Sequence, residues 1–136
     1  MTDTTIRKSV HIVAEKSTVW RFLTQADLLG KWFHPAQEDL ADGAEYTLIS
    51  QKDGERMCWG KVIEMRAPDY MRWDFTVGPM NGAMTTVEWT LEDAPGGTRL
   101  TLEHSNLPQS EEAFGLIMAL DKGWHGFMSQ IQTLEM

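Results

Sequence analysis

Along residues 5–13 apolar and polar side chains alternate, with Ile6, Lys8, Val10 and Ile12 on one face and Arg7, Ser9 and His11 on the other. A period of two marks a half-buried strand. The spacing then becomes helical through Val19, Trp20, Phe22 and Leu23, with Ser17 placed as an N-cap. Asp27 is placed to cap a second short turn ending at Trp32-Phe33, and Pro35 and Asp42-Gly43 mark the loop beyond it. From residue 45 the period returns to two. Strands are predicted over 45–51, 56–66, 70–77, 85–92 and 98–104, separated by Asp53-Gly54, Ala67-Pro68-Asp69, Gly78 to Gly82 and Pro95-Gly96-Gly97. Val87, Trp89 and Leu91 should face inward on one strand, and Leu100, Leu102 and His104 on the next. Turns this short imply antiparallel neighbours, because parallel strands need long crossovers.

The last 27 residues read as one long helix. Phe114, Ile117, Leu120, Trp124, Phe127, Ile131 and Leu134 recur at spacings of three and four, an apolar stripe wide enough to cover a sheet face. Gly115, Ala119, Gly123 and Gly126 form a second, small-residue stripe. An interior glycine costs a helix ~1 kcal/mol relative to alanine, so close approach of helix to strand is the expected reason for them, with a kink near Gly123 as the alternative. The fold class is therefore α+β: about six antiparallel strands in a curved sheet around a long C-terminal helix, with two short helices after the first strand.

Composition narrows the function. The chain has 136 residues, the size of a single domain spanning 1–136, and is 42% hydrophobic and 24% charged. Its net charge of −8, with no basic cluster, excludes duplex nucleic acid as a partner and disfavours anionic membrane surfaces. The N-terminal MTDTTIRKSV has no apolar secretory core, and no apolar run is long enough to span a bilayer. Cys58 is the only cysteine, which rules out an intrachain disulfide and fits a reducing cytoplasm. The four histidines show no metal-ligand spacing, and there is no nucleophile elbow, phosphate loop or dinucleotide fingerprint. No metal, cofactor or covalent catalytic residue is expected.

The element order, with a particular set of residues, resembles the START-like (SRPBCC) superfamily and its helix-grip (START/Bet v-like) fold. The residues are Val19-Trp20 with Leu23-Thr24, Trp32-Phe33, Gly43, Gly60 with Val62 and Glu64, Gly97-Thr98, Leu100-Thr101-Leu102, His104, Gly123-Trp124 and Leu134. They are most similar to the branch named for the activator of heat-shock protein 90 ATPase, over residues 6–135, with Ala44 standing where a second glycine often follows the first. The resemblance implies a cavity between sheet and long helix that holds apolar or amphipathic ligands in lipid carriers, hormone receptors and polyketide cyclases. The eukaryotic chaperone activator has a separate N-terminal chaperone-binding region for which this chain has no room, so a chaperone partner is not expected.

Within that frame the cavity candidates are Trp59, Met71, Trp73 and Trp89 on the central strands, Leu102 and His104 on the last strand, and Trp124 and Met128 on the helix. Met57 and Met65 join them as residues able to line a pocket. Trp supplies broad surface and Met adapts to irregular shapes, properties that serve a pocket and a packed core alike. His104 is placed either to meet a ligand or act as an acid or base, or to be a satisfied structural histidine. Glu64 and Glu88 are placed either toward a cavity or on a solvated strand face. The expected function is non-catalytic binding of a small apolar or amphipathic molecule. The alternatives are a cyclase or hydrolase using the same cavity, and a chaperone-associated or other protein-interaction module. The sequence leaves open whether the chain forms a homodimer.

Overall fold

The computed structural model describes residues 5–80 and 82–136, Glu112 by its backbone alone. The reading of the first four residues and the middle of the 78–82 turn lie outside the described residues. Strand β1 (Ile6–Ile12) leads into helices α1 (Lys16–Thr24) and α2 (Ala26–Leu29). Strands β2 (Glu45–Ile49), β3 (Arg56–Arg66), β4 (Tyr70–Val77), β5 (Thr85–Ala94) and β6 (Gly97–Ser105) follow, and α3 (Phe114–Thr133) ends the fold. The six strands form one curved antiparallel sheet in the order β1-β6-β5-β4-β3-β2. This is the element order the periodicity predicts and the helix-grip architecture the resemblance implies.

The first strand pairs with the last, Ile6 opposite His104 and Ile12 opposite Thr98, which puts β1 and β2 at opposite edges. The connection between them must therefore cross the sheet. Helices α1 and α2 make that crossing and bury Val19, Trp20, Phe22, Leu23 and Leu29, with α1 lying against β5 and β6. Both helix starts differ from the local reading. Glu15 is the N-cap of α1, so Ser17 lies inside the first turn. Gln25 precedes α2, which stops at Leu29, short of Trp32-Phe33. The free N–H of Ala26 donates to Asp39 Oδ1 at 2.8 Å, a cap brought from a distant loop.

Alternation holds on β5 and β6, where Val87, Trp89, Leu91, Leu100, Leu102 and His104 are all buried. It fails on β3. There Cys58 and Val62 point inward, while Trp59 is half-buried and Lys61 and Ile63 are exposed. The pairing with β4 is irregular between Val62 and Glu64, after which Met65 stands opposite Met71. One extra residue in a strand reverses the facing of every residue beyond it, so parity could not be carried along β3 from Trp59 to Met65.

The glycine stripe also has a different cause from the one expected. A Cβ on Gly115 or Gly126 would meet nothing within 4 Å, and on Gly123 only the Phe127 ring at 4.0 Å. The close approach is instead at Gly60 on β3, where a Cβ would run into the Asp74 carbonyl of β4. The hydroxyl of Tyr46, on β2, reaches past Gly60 and donates to that carbonyl at 2.6 Å. Three strands are thus tied at a point that only glycine allows.

Candidate functional site

Helix α3 carries two adjacent apolar stripes, because residues three, four and seven apart share a helical face. Ile117, Trp124, Met128 and Ile131 form one. Leu116, Ala119, Leu120, Gly123 and Phe127 form the other. The first is held on the closed side of the fold, where α3 comes closest to β1. Lys8 of β1 pairs with Asp121 at 2.9 Å, and Gln132 donates to the His11 carbonyl at 3.2 Å. The second stripe lies across a space from the ends of β3 and β4. A cavity of about 440 Å³ lies beneath it.

The far walls of the cavity are Phe33 and His34 from the segment after α2, Arg56, Met57 and Cys58 from β3, Phe75 and Val77 from β4, and Gly78 and Pro79 beyond it. Ala119 and Gly123 are too short to fill the gap. Trp124 stands at the boundary of the two stripes and closes the inner end. Its ring packs against Phe33 at 5.2 Å, Trp89 at 5.7 Å and Phe75 at 5.8 Å between centroids.

Trp124 is also fixed by a directed chain of hydrogen bonds. Its Nε1–H donates to His104 Nδ1 at 2.9 Å. That nitrogen must then be unprotonated, so His104 carries its proton on Nε2 and donates it to Thr85 Oγ1 at 2.7 Å. The Thr85 hydroxyl in turn donates to the Phe75 carbonyl at 2.7 Å. Every N–H and O–H donor in the chain is used, and His104 is fully buried. Burial lowers its pKa from 6.5 to about 4, because a buried imidazolium loses its hydration. At neutral pH the ring is uncharged and joins α3 to β4, β5 and β6.

The other polar groups at the cavity are few. Burial pushes the Cys58 thiol up to about 12, which keeps it protonated and non-nucleophilic at neutral pH. His34 packs against Phe33 and Phe127 with centroids at 4.7 and 5.4 Å, and its burial lowers its pKa. Arg56 touches the rim, but its guanidinium carbon lies 3.5 Å from the centroid of the Trp59 ring, in the hollow on the other face of the sheet that also holds Glu45 and Asp74. Among the described residues no group of three or more His, Cys, Asp or Glu side chains is placed to hold a metal ion.

Of the eight residues expected at the cavity, Trp124 lines it. Met71, Trp73, Trp89, Leu102 and Met128 are packed in the core at 2% exposure or less, with His104 beside them. Trp59 faces the other side of the sheet, bordering a hollow with Glu45, Lys61 and Asp74. Met57 does reach the cavity, whereas Glu64 pairs with Arg66 and Glu88 accepts from the Tyr70 hydroxyl at 2.6 Å, away from it. Phe33, His34, Cys58, Phe75, Leu116, Leu120 and Phe127 were not expected there. The available signal was the run Leu116, Ala119, Leu120, Gly123, Phe127, a helical face whose middle is too small to pack.

The model of the family described as Activator of Hsp90 ATPase homolog 1-like protein matches residues 14–135. The chain belongs to that family. Its fold recurs in a protein from Mesorhizobium loti, 20% identical with a TM-score of 0.81, over 95% of this chain and 94% of that one. It recurs in the Aha1 dimer from Colwellia psychrerythraea, 18% identical with a TM-score of 0.77, over 95% and 93%. An HSP90 activator from Plasmodium falciparum is 20% identical with a TM-score of 0.77, over 93% and 92%. No curated protein matches the chain. Within this member of the family, the residues that carried the resemblance are structural ties. Gly60 admits Tyr46 to Asp74, Thr98 donates to the Ala14 carbonyl at 2.7 Å, Trp32 donates to the Phe22 carbonyl at 2.8 Å, and His104 holds Trp124.

Proposed function

We propose that the chain acts as one START-like unit that binds a small apolar or amphipathic molecule in the cavity under the first half of α3, without chemical conversion. The observation that carries this reading is the contrast between a filled aromatic core and an adjoining, apolar-lined space of about 440 Å³, within the range of small-molecule sites. Catalysis finds little support in the same walls. General acid–base work needs a group titrating near the working pH with a free ring nitrogen or carboxylate, and His104 has neither property. The single buried thiol is compatible with a reducing cytoplasm. Among the described residues no helix is long and apolar enough to cross a membrane.

The test is a thermal-shift and tryptophan-fluorescence screen of fatty acids, sterols, flavonoids and polyketides, followed by native mass spectrometry of the purified protein. A ligand should raise the melting temperature as RT ln(1 + [L]/Kd) and change the emission of Trp124. Failure of every class to shift either signal would remove the reading. A protein-docking role is the second reading, favoured by Phe114 and Met118, 66% and 55% exposed and one turn apart on α3. Light scattering for a second copy, and co-migration with an Hsp90 chaperone, would test it.

A further inference from the structure

The side chains lining the cavity that carry a hydrogen-bond donor are His34, Arg56, Cys58 and Trp124. All but His34 have little to offer a ligand. The Trp124 Nε1–H is given to His104 at 2.9 Å. The Arg56 guanidinium is stacked on Trp59, in the hollow on the other face of the sheet that also holds Glu45 and Asp74. The Cys58 thiol is a weak donor that burial keeps protonated. No lining residue is acidic. An ionised ligand in this space would shed its hydration and meet no opposite charge, which an apolar surrounding makes costly.

His34 differs from the other three. Its ring lies against Phe33 and Phe127, themselves walls of the cavity, with centroids at 4.7 and 5.4 Å. Among the described residues neither of its ring nitrogens has a hydrogen-bond or ion-pair partner. The unpaired indole nitrogens of Trp73 and Trp89 are sealed in the core, whereas those of His34 stay within reach of an incoming molecule. Burial lowers the His34 pKa, so at neutral pH the ring is uncharged, with one nitrogen able to donate and the other to accept. The rings of Phe33, Phe75, Trp124 and Phe127 supply walls that suit a flat aromatic body through offset and edge-on contacts.

We infer that the ligand is an uncharged molecule with an aromatic body and a hydroxyl or carbonyl group, and that His34 is the residue that holds this group. The inference rests on the ligand-binding reading above and narrows it to one class. A hydrocarbon of the same shape fills the space but leaves His34 unpaired. A carboxylate brings a charge that no wall of the cavity meets.

The experiment is calorimetric titration of naphthalene, 2-naphthol and 2-naphthoate at neutral pH into the full chain and into His34→Phe and His34→Leu. Each variant is first shown to keep its thermal transition, and either one suffices. The wild type should bind naphthol at least roughly tenfold tighter than naphthoate, because nothing in the cavity replaces the water lost from the carboxylate. In the variants the ratio of naphthol to naphthalene affinity should fall about tenfold, the scale of a buried hydroxyl left without its partner. A merely structural role for His34 would weaken both ligands alike and leave that ratio unchanged. Tightest binding of naphthoate by the wild type, or an unchanged ratio in the variants, overturns the inference and leaves the cavity reading standing. If none of the three binds, both fall together.

Discussion

From Trp124 to Ile131, α3 presses Trp124, Met128 and Ile131 into the core until each is at most 3% exposed. From Phe114 to Gly123 the same helix buries no residue fully, although it carries Phe114, Leu116, Ile117, Met118 and Leu120. Apolar content does not separate the two halves. What separates them is what the sheet presents and how far each side chain reaches. The second half meets an aromatic cluster and a hydrogen-bonded histidine, and it is tied to β1 through Gln132. The first half meets the ends of β3 and β4 across a gap that Ala119 and Gly123 cannot span. An amphipathic pattern therefore shows which side of a helix faces the sheet, but not whether the space between them is filled.

The widest difference between the halves should come from deleting large side chains. Trp124→Ala should cost about 3–5 kcal/mol in urea unfolding, since it removes a packed indole and leaves a void. Leu120→Ala, at the rim of a space already open, should cost only about 1 kcal/mol, for the little surface it keeps from water. Equal losses would mean that the first half is as well packed as the second.

Acid should sharpen the contrast from the closed side. The pKa of His104 is about 4 in the folded chain against 6.5 for the free residue. Between those values the unfolded chain binds a proton that the folded chain refuses, so stability must fall as pH drops from 6.5 toward 4. The size is about 3 kcal/mol at 1.36 kcal/mol per unit. The measurement is the stability difference between wild type and His104→Gln across that window, in which the wild-type advantage should shrink as the pH falls.

A smaller effect isolates the hydrogen bond. Trp124→Phe keeps most of the ring but leaves His104 Nδ1 buried without a donor, a loss of about 1–3 kcal/mol. Among the described residues Trp73 Nε1 and Trp89 Nε1 have no hydrogen-bond partner, and Trp89 sits edge-on to Trp32 at 5.8 Å. Trp89→Phe removes a donor that satisfies nothing and should cost visibly less than Trp124→Phe. The smallest effect belongs to the open half. Gly123→Ala places a methyl where only the Phe127 ring lies near, and should stabilise the helix by up to about 1 kcal/mol.

The strands, their antiparallel order and the inward faces of β5 and β6 were legible in the sequence because regular alternation and short turns leave little choice. The facing of β3 was not, since an irregularity at Ile63 carries no residue signature. Neither was the cap on α2, which Asp39 supplies from a loop. Of the residues the sequence suggested for a pocket, Trp124 and Met57 line the space under α3, and the other residues around that space carry no pocket signature of their own. Residues such as Trp73, Trp89 and Met71 looked suited to a pocket because the same side chains serve a core. The distinction depends on how far α3 stands from β3 and β4, a distance fixed by contacts at β1 and by no local pattern.

The central claim is that the small-residue stretch of α3 leaves a binding space open, and a leucine at Gly123 tests it most directly. Gly123 lines the cavity and a Cβ there meets only the Phe127 ring at 4.0 Å, so the protein should keep its cooperative thermal transition. Titration with N-phenyl-1-naphthylamine, an uncharged apolar fluorophore, should give a saturable one-site emission rise in the wild type and lose it in Gly123→Leu. The same saturable signal in both proteins would contradict the account, because the probe would then be bound elsewhere.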